Sequence, residues 1–331
     1  MKTSKAVKFD TDAYFSALEC FDDLKLFKML AKPFKFNTSY SLKKTASNII
    51  EQLEKPSQLA PEATSLNLLA IYSSILVCQN STISVVELDS NLSQELDKIT
   101  NDDVESTLYI QNTDTIHQLR NGVRFIGFSR IKEGLVFSIA YISTATTQSA
   151  IEKKVNYCSV FKPFKKDRFE IRVSANIPKK DHDYVKKEVM NCFTDEVGLR
   201  FSIILTRSNN ICFFKSILNF YDDQGSGRAD SVIKVGEHTG KDATLNTSRN
   251  KNMCARSMEV SNLDGNVEKY ICRAIVIDWK SKDDKDYKTT LTIAPKKLHW
   301  EQNSCNSISL KHPLSVTHVS RLLDNVIARS K

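Results

Sequence analysis

A chain of 331 residues is long enough to form one large domain or two ordinary ones around a sizeable buried core. Its composition, 41% hydrophobic and 26% charged with only 9 glycines and 7 prolines, excludes fibrous and low-complexity classes of protein. The net charge of +8 is unevenly distributed, with +4 in residues 1–50, −9 in residues 51–115 and +13 in residues 116–331. A basic segment of this kind attracts polyanions at long range.

The sequence predicts a cytoplasmic protein without a transmembrane segment. The start, MKTSKAVKFDTDAYF, has no apolar run of signal-peptide length, and the most apolar stretch, residues 66–78, is shorter than the ~20 residues that cross a bilayer. The eight cysteines are scattered and form no C-x-x-C pair. We therefore expect neither a disulfide framework nor a thiolate metal site.

Residues 1–115 are predicted to form a helical, partly acidic N-terminal region. Apolar residues recur at three-residue spacing from Phe15 to Leu30, close to the helical period, and Pro33 is expected to end that helix. A second helix is predicted from Leu42 to Leu53. Residues 66–78 suit a buried third helix, with a strand as the open alternative. TISVVEL is predicted to be a short strand, and SQELDKITNDDVES an exposed acidic helix or loop.

From about residue 121 the apolar period changes to two, which predicts β-strands. NGVRFIGFSRI and GLVFSIAYIS suit a hairpin in which Gly134 can take a positive φ. FEIRVSANI is a further predicted strand, and DYVKKEVMNCFTDEVG a helix that Gly198 is positioned to end. FSIILTR with ICFFKSILNFY, and KYICRAIVIDW with KTTLTIAPKKLHW, are predicted as two more strand pairs.

The last 20 residues predict a C-terminal helix with an apolar face from Val319 to Ile327. Since hairpins outnumber helical crossovers, the predicted fold class is α+β. We expect a helical N-terminal region followed by a mostly antiparallel or mixed β-sheet domain, residues 116–331, with the C-terminal helix at its end.

The densest basic run of the sequence is FKPFKKDRFEIRV, followed by IPKKDHDYVKK. In DRFEIRV, Arg168, Glu170 and Arg172 alternate with apolar residues, so the arginines are predicted to face water or a ligand. Lysines attract phosphates as point charges, and arginines bind them bidentately. The alternative is an ordinary solvated strand and helix. The run predicts a continuous nucleic-acid-binding surface made of Lys162, Lys165, Lys166, Arg168, Arg172, Lys179, Lys180, Lys186 and Lys187.

One candidate for chemistry lies in LDGNVEKYICRAIVIDWKSK. Asp264 precedes an apolar strand that ends in Asp278, Trp279 and Lys280, an arrangement that resembles the PD-(D/E)xK nuclease motif. The resemblance implies that Asp264 and Asp278 hold Mg²⁺ and that Lys280 is the catalytic cation. LDGN lacks the proline of the motif, and an ordinary turn explains it equally well.

Taken together, these patterns predict a protein that binds nucleic acid, preferably DNA. They favour a non-catalytic protein and give no sign of a cofactor. A mobile-element defence or counter-defence context is a hypothesis attached to that prediction. The acidic segment, residues 87–114, is expected to cover the basic surface within the chain or across a homo-oligomer. The alternatives are a Mg²⁺-dependent nuclease and a scaffold whose basic face binds an acidic or membrane-associated partner protein.

Overall fold

A computed structural model describes residues 24–55, 61–100, 120–146, 151–205, 209–247, 253–260, 269–280, 288–313 and 315–331. These ranges contain eight α-helices and ten β-strands, and the strand pairings within each compact unit of the chain are antiparallel, which confirms the α+β class. The helices are α1 (Leu24–Ala31), α2 (Leu42–Glu54), α3 (Ser65–Cys78), α4 (Ser90–Asp97), α5 (His182–Phe201), α6 (Phe214–Asp222), α7 (Lys297–Glu301) and α8 (Val316–Ala328). The strands are β1 (Ser81–Glu87), β2 (Gly122–Ile131), β3 (Gly134–Thr146), β4 (Ile151–Pro163), β5 (Arg168–Ser174), β6 (Arg228–Gly236), β7 (Asp242–Asn246), β8 (Tyr270–Lys280), β9 (Lys288–Ile293) and β10 (Ile308–Lys311).

The chain divides into two compact units. The first unit is Met1–Gln79 with Val86–Ser208, and the second is Asn80–Val85 with Asn209–Lys331. Most of β1 therefore belongs to the second unit, although it lies in the N-terminal third of the chain. The predicted domain boundary, between residues 115 and 116, falls outside the described residues.

The N-terminal helices of the first unit begin and end at the residues that the sequence signals. The Ser41 side chain accepts a hydrogen bond from the Lys44 N–H at the start of α2, and Thr64 caps α3 in the same way. Helix α1 ends at Ala31, just before a 3₁₀ turn that contains Pro33. Helix α3 confirms the predicted third helix. It is apolar on nearly all sides, as is typical of a helix that is buried all round. The first part of the predicted α1, up to residue 23, lies outside the described residues.

The sheet of the first unit has the strand order β2, β3, β4, β5 and is covered on both faces. Helix α5 packs on one face through Val185, Val189, Phe193 and Val197, which are spaced four residues apart, and the Phe193 ring lies 4.8 Å from that of Phe137. Helix α3 covers the other face. Its last turn accepts hydrogen bonds from side chains of β4 and β5.

Three features of the first unit differ from the sequence prediction. Strand β4, which pairs with both β3 and β5, was not predicted. Gly134 does not take a positive φ. A glycine is required at this position because a Cβ would lie 2.3 Å from the Lys162 backbone oxygen. Gly198 does not end α5, because the helix continues to Phe201 and Ser202 takes the left-handed conformation instead (φ 56°).

The second unit has the strand order β1, β10, β9, β8, β6, β7. The predicted pairing of β8 with β9 is confirmed, with Ile275 opposite Ile293 at one end and Lys280 opposite Lys288 at the other. The predicted C-terminal helix is confirmed as α8, which Ser315 caps. Its Val319, Leu322, Leu323 and Val326 side chains are buried.

The strand pair predicted for FSIILTR and ICFFKSILNFY is wrong. FKSILNFYD is helix α6, in which Ile217 and Phe220 are buried at helical spacing, and the buried Phe213 lies at its N-cap. Residues 202–205 contain no strand, and residues 206–208 lie outside the described ranges. Strands β6, β7 and β10 were not predicted either, and the end of the predicted strand KTTLTIAPKKLHW is helix α7.

Candidate nucleic-acid interface

The polar face of β5 is buried rather than exposed. Arg168 and Arg172 are 7% and 0% exposed, and Glu170 between them is 0% exposed. Arg168 donates two hydrogen bonds to Glu170 Oε1, from Nε at 3.3 Å and from Nη2 at 3.2 Å, while Arg172 Nη2 pairs with Glu170 Oε2. The prediction that Arg168 and Arg172 face water or a ligand is therefore wrong.

Helix α3 explains why these arginines are covered. Arg172 Nη1 donates a hydrogen bond of 2.6 Å to the carbonyl oxygen of Val77, in the last turn of α3. Carbonyl groups at the C-terminus of a helix have no partner within the helix and carry partial negative charge, so a cation is favoured there. The arginine side chains thus satisfy one buried carboxylate and one helix end.

Lys162 is also buried, but on the opposite face of the sheet. It pairs with Leu135 of β3, a residue of the core under α5. Its Nζ donates hydrogen bonds to Asp97 Oδ1 at 2.9 Å and to the Pro163 carbonyl oxygen at 2.8 Å. Burial lowers the pKa of Lys162, and the Asp97 carboxylate partly offsets that effect. Like the two arginines, Lys162 cannot reach a phosphate group in this conformation.

Lys165 and Lys166 are exposed in the turn between β4 and β5. Lys165 has a left-handed backbone (φ 58°), and its N–H donates to Asp97 Oδ2 at 3.0 Å. Asp167 follows directly, and hydrogen bonds from Ser90 and Ser93 lower its pKa. These two lysines therefore lie among carboxylates, so this turn has little excess positive charge.

Lys179, Lys180, Lys186 and Lys187 lie at the other end of β5, around the start of α5. Lys179, Lys180 and Lys187 are exposed, whereas Lys186 is half-buried, and this burial lowers its pKa with Asp183 acting in the opposite direction. The seven residues of β5 span ~20 Å at ~3.3 Å per residue. The predicted basic surface is therefore not continuous along this strand.

The register of β4 brings Lys154 to the same end. Tyr141 pairs with Asn156 and Ser143 with Lys154, so Lys154 projects from the same face as Tyr141 and lies two residues before Asn156 in β4. Tyr141 faces the start of α5: burial raises its pKa most, and the charges of Asp181 and Tyr184 raise it further. Lys154 is exposed. We call Lys154, Lys179, Lys180, Lys186 and Lys187 the lysine cluster.

One exposed aromatic residue accompanies the lysine cluster. Tyr184, in the first turn of α5, is 54% exposed, and it lies two residues before Lys186. Asp181 and Asp183 are interspersed in the same turn. Cations therefore outnumber acids around a side chain on which an unpaired base could stack. Sequence reasoning missed Lys154 because it missed β4, although the alternation of Val155, Tyr157 and Phe161 could have revealed that strand.

Asp278, assigned as a metal ligand by the nuclease hypothesis, has protein partners on both oxygens. Arg228 Nη2 lies 2.9 Å from Oδ2, Lys288 Nζ pairs with the same oxygen, and Thr290 donates to Oδ1 at 3.0 Å. Asp278 is only 5% exposed. Asp264 and the side chain of Lys280 lie outside the described residues. The contacts of Asp278 are thus those of a buried, neutralised carboxylate.

In the part of the chain that the structure describes, no group of three or more His, Cys, Asp or Glu side chains is arranged to hold a metal ion. Within the same ranges, none of the helices combines the length and the apolar content that a membrane span requires. No protein-family model matches the chain, and comparison with curated proteins found no match. A function must therefore be argued from the site itself.

Proposed function

We propose that the protein binds the phosphate backbone of a nucleic acid through the lysine cluster. The observation that supports this proposal is the convergence of Lys154 from β4 with Lys179, Lys180 and Lys187 around the start of α5. Phosphate contacts of this kind supply affinity without reading the base sequence.

The exposed Tyr184 bears on which nucleic acid is preferred. An aromatic side chain next to a cationic groove stacks on unpaired bases and gains ~1–3 kcal/mol per base. The predicted preference for DNA stays a prediction. Tyr184 favours the single-stranded form over the duplex, in which the bases are already stacked.

The test is a salt titration of binding by fluorescence anisotropy, with labelled single- and double-stranded DNA and RNA of equal length. The variant Lys154→Ala, Lys179→Ala, Lys180→Ala, Lys187→Ala should lower both the affinity and the slope of log K against log salt, because the slope is about −0.9 per neutralised phosphate for duplex DNA and about −0.7 for single strands. Lys165→Ala, Lys166→Ala is the control, since both positions are exposed lysines among carboxylates. It removes two charges instead of four, so the two variants are compared per removed lysine.

Two results would contradict the proposal. One is a wild-type protein that binds none of the probes at low salt. The other is a slope that falls by the same amount per removed lysine in the cluster variant and in the control, because the affinity would then follow total charge and not the cluster. Binding of a partner protein that DNA does not displace would favour the scaffold alternative.

The predicted masking by residues 87–114 also belongs to this proposal. Within the described part of that segment, Asp97 already contacts Lys162 and the backbone of Lys165. Residues 101–114 lie outside the described ranges. A deletion of residues 1–115 cannot test masking cleanly, because it would also remove α3 and uncover Arg172 and Glu170.

The nuclease alternative, the cytoplasmic location and the defence or counter-defence context stay predictions. The nuclease alternative has less support than the binding proposal because Asp278 is engaged by two cations and a hydroxyl group. Mg²⁺ added to the binding assay, with the probe checked for cleavage, tests this alternative in the same experiment.

A further inference from the structure

Cys254 lies in a cationic, partly exposed environment in the second unit. Its sulfur accepts hydrogen bonds from the Ala229 N–H at 3.4 Å, at the start of β6, and from Arg256 Nη1 at 3.5 Å. The thiol is half-buried. Thiolates are favoured in such surroundings, where backbone N–H groups and a guanidinium converge on the sulfur.

The other described cysteines with altered acidity show the opposite behaviour. Burial raises the pKa of Cys158, Cys272 and Cys305 to about 12 and that of Cys192 to about 11. Burial also raises the pKa of Cys254, but hydrogen bonds from the backbone N–H groups of Arg256 and Ala229 and from the guanidinium lower it by more. The net effect is a pKa below the ordinary value of a thiol.

Arg256 is the buried cation at this site. The residue is 7% exposed, its Nε donates to the Phe220 carbonyl oxygen at 2.9 Å, and its Nη1 donates to that of Gly227 at 2.7 Å. Its Nη2 is buried and has no hydrogen-bond partner among the described residues. A buried donor without a partner costs ~1–3 kcal/mol and requires an explanation, such as a ligand or a redox role.

We propose that Cys254 is an oxidation site whose thiolate reacts with hydrogen peroxide to form a sulfenate that Arg256 binds. The sulfur donates an electron pair to one peroxide oxygen, the S–O bond forms, and the O–O bond breaks. The proton on the attacked oxygen passes to the leaving hydroxide, so the products are the sulfenate and water; sulfur is oxidised by two electrons and peroxide is reduced. The new oxyanion lies next to the Arg256 guanidinium, whose Nη1 contacts the sulfur, and it is a hydrogen-bond acceptor of the kind that Nη2 lacks among the described residues.

The site connects several elements of the second unit. Arg256 joins the end of α6, through Phe220, to the turn before β6, through Gly227. The Phe220 ring in turn packs edge-to-face on Trp279, with centroids 5.6 Å apart. A change of charge and size at Cys254 is therefore transmitted to the contacts that hold α6 against β6 and β8.

The test treats the full-length protein with hydrogen peroxide, traps sulfenic acid with a 1,3-dione probe, and maps the adduct on each cysteine by mass spectrometry. Cys254 should be labelled faster than Cys212, which is exposed and serves as the control for accessibility. Cys254→Ser should abolish that adduct. Arg256→Lys, checked for folding by circular dichroism, should slow it by up to about tenfold for each unit by which the thiol pKa rises, because below that pKa the thiolate fraction falls by this factor.

A second measurement needs no variant and covers the case in which Arg256→Lys does not fold. The rate at which iodoacetamide alkylates Cys254 is measured against pH in the wild type, and its midpoint should lie below ~8.5, the value of a free cysteine. Peroxide labelling at Cys254 that is no faster than at Cys212, or an alkylation midpoint at or above that of a free cysteine, overturns the proposal.

Discussion

Neutralising Glu170 tests whether the basic residues of β5 have a structural role. Glu170 is fully buried and is the carboxylate to which both Arg168 and Arg172 are bound. In Glu170→Gln the side chain keeps its size, but two buried guanidinium groups lose their counter-charge. Breaking a buried ion pair from one side costs ~3–5 kcal/mol. This is a large part of the ~5–15 kcal/mol by which proteins are usually stable.

The chain offers a matched control for this change. Glu196 pairs with Arg200 at 2.7 Å on the surface of α5, where both side chains are about a quarter exposed (25% and 28%). Because solvent screens this pair, Glu196→Gln should cost only ~0.3–0.5 kcal/mol. Both variants remove one negative charge from a Glu–Arg pair of the first unit. The difference between them therefore isolates the effect of burial.

The measurement is urea unfolding followed by far-UV circular dichroism. Tryptophan fluorescence is unsuitable, since both tryptophans of the chain, Trp279 and Trp300, belong to the second unit. A Glu170→Gln variant within ~1 kcal/mol of wild type, or no less stable than Glu196→Gln, would refute the buried charge cluster. The arginines of β5 would then return as candidates for phosphate contacts.

Two further predictions follow from local geometry. Gly134→Ala should destabilise the protein by at least ~1–3 kcal/mol, because its Cβ would lie 2.3 Å from the Lys162 backbone oxygen. Gly198→Ala, in the interior of α5, should stabilise it by ~0.5–1 kcal/mol, because its Cβ would make only an ordinary contact of 3.8 Å with the Ile203 backbone oxygen. Equal effects in urea unfolding would contradict this contrast. Hydrogen bonds from Ser226, Arg329 and the Gly225 N–H lower the pKa of Asp223 from 3.8 to about 2, so its stabilising effect is complete above pH 3.8 and is lost as the pH falls through about 2. In acid unfolding, the difference in stability between wild type and Asp223→Asn should therefore shrink as the pH falls from 3.8 to about 2. A difference that does not depend on pH would contradict this assignment.

Much of the fold could be predicted from local patterns. Helices α2, α3 and α8 follow from apolar spacing and from the caps Ser41, Thr64 and Ser315. The pairing of β8 with β9 follows from two apolar runs around a charged turn. Helix α6 was mistaken for a strand because ICFFKSILNFY is rich in aromatic and β-branched residues, which favour strands, while its burial pattern is that of a helix.

The candidate site was predicted only in part, and for a physical reason. Alternation along β5 shows which residues share a face, but a polar face that contacts water and a polar face that contacts a helix end give the same pattern. The carbonyl of Val77, 95 residues before Arg172, decides between the two cases. Lys179, Lys180 and Lys187 are exposed, as a binding surface requires, whereas Lys154 required the register of a strand that local patterns did not reveal.

The pairing of β1 with β10 has a consequence for synthesis of the chain. Ser81 lies opposite Leu310, so the ribosome must add 229 more residues (310 minus 81) before this partner exists. At ~5–20 residues per second, this edge of β1 is without its partner for ~10–45 s. An unpaired strand edge is a template for association with other chains. During translation, chaperone binding to β1, or its shielding by the rest of the nascent chain, would therefore protect this edge from association with other chains.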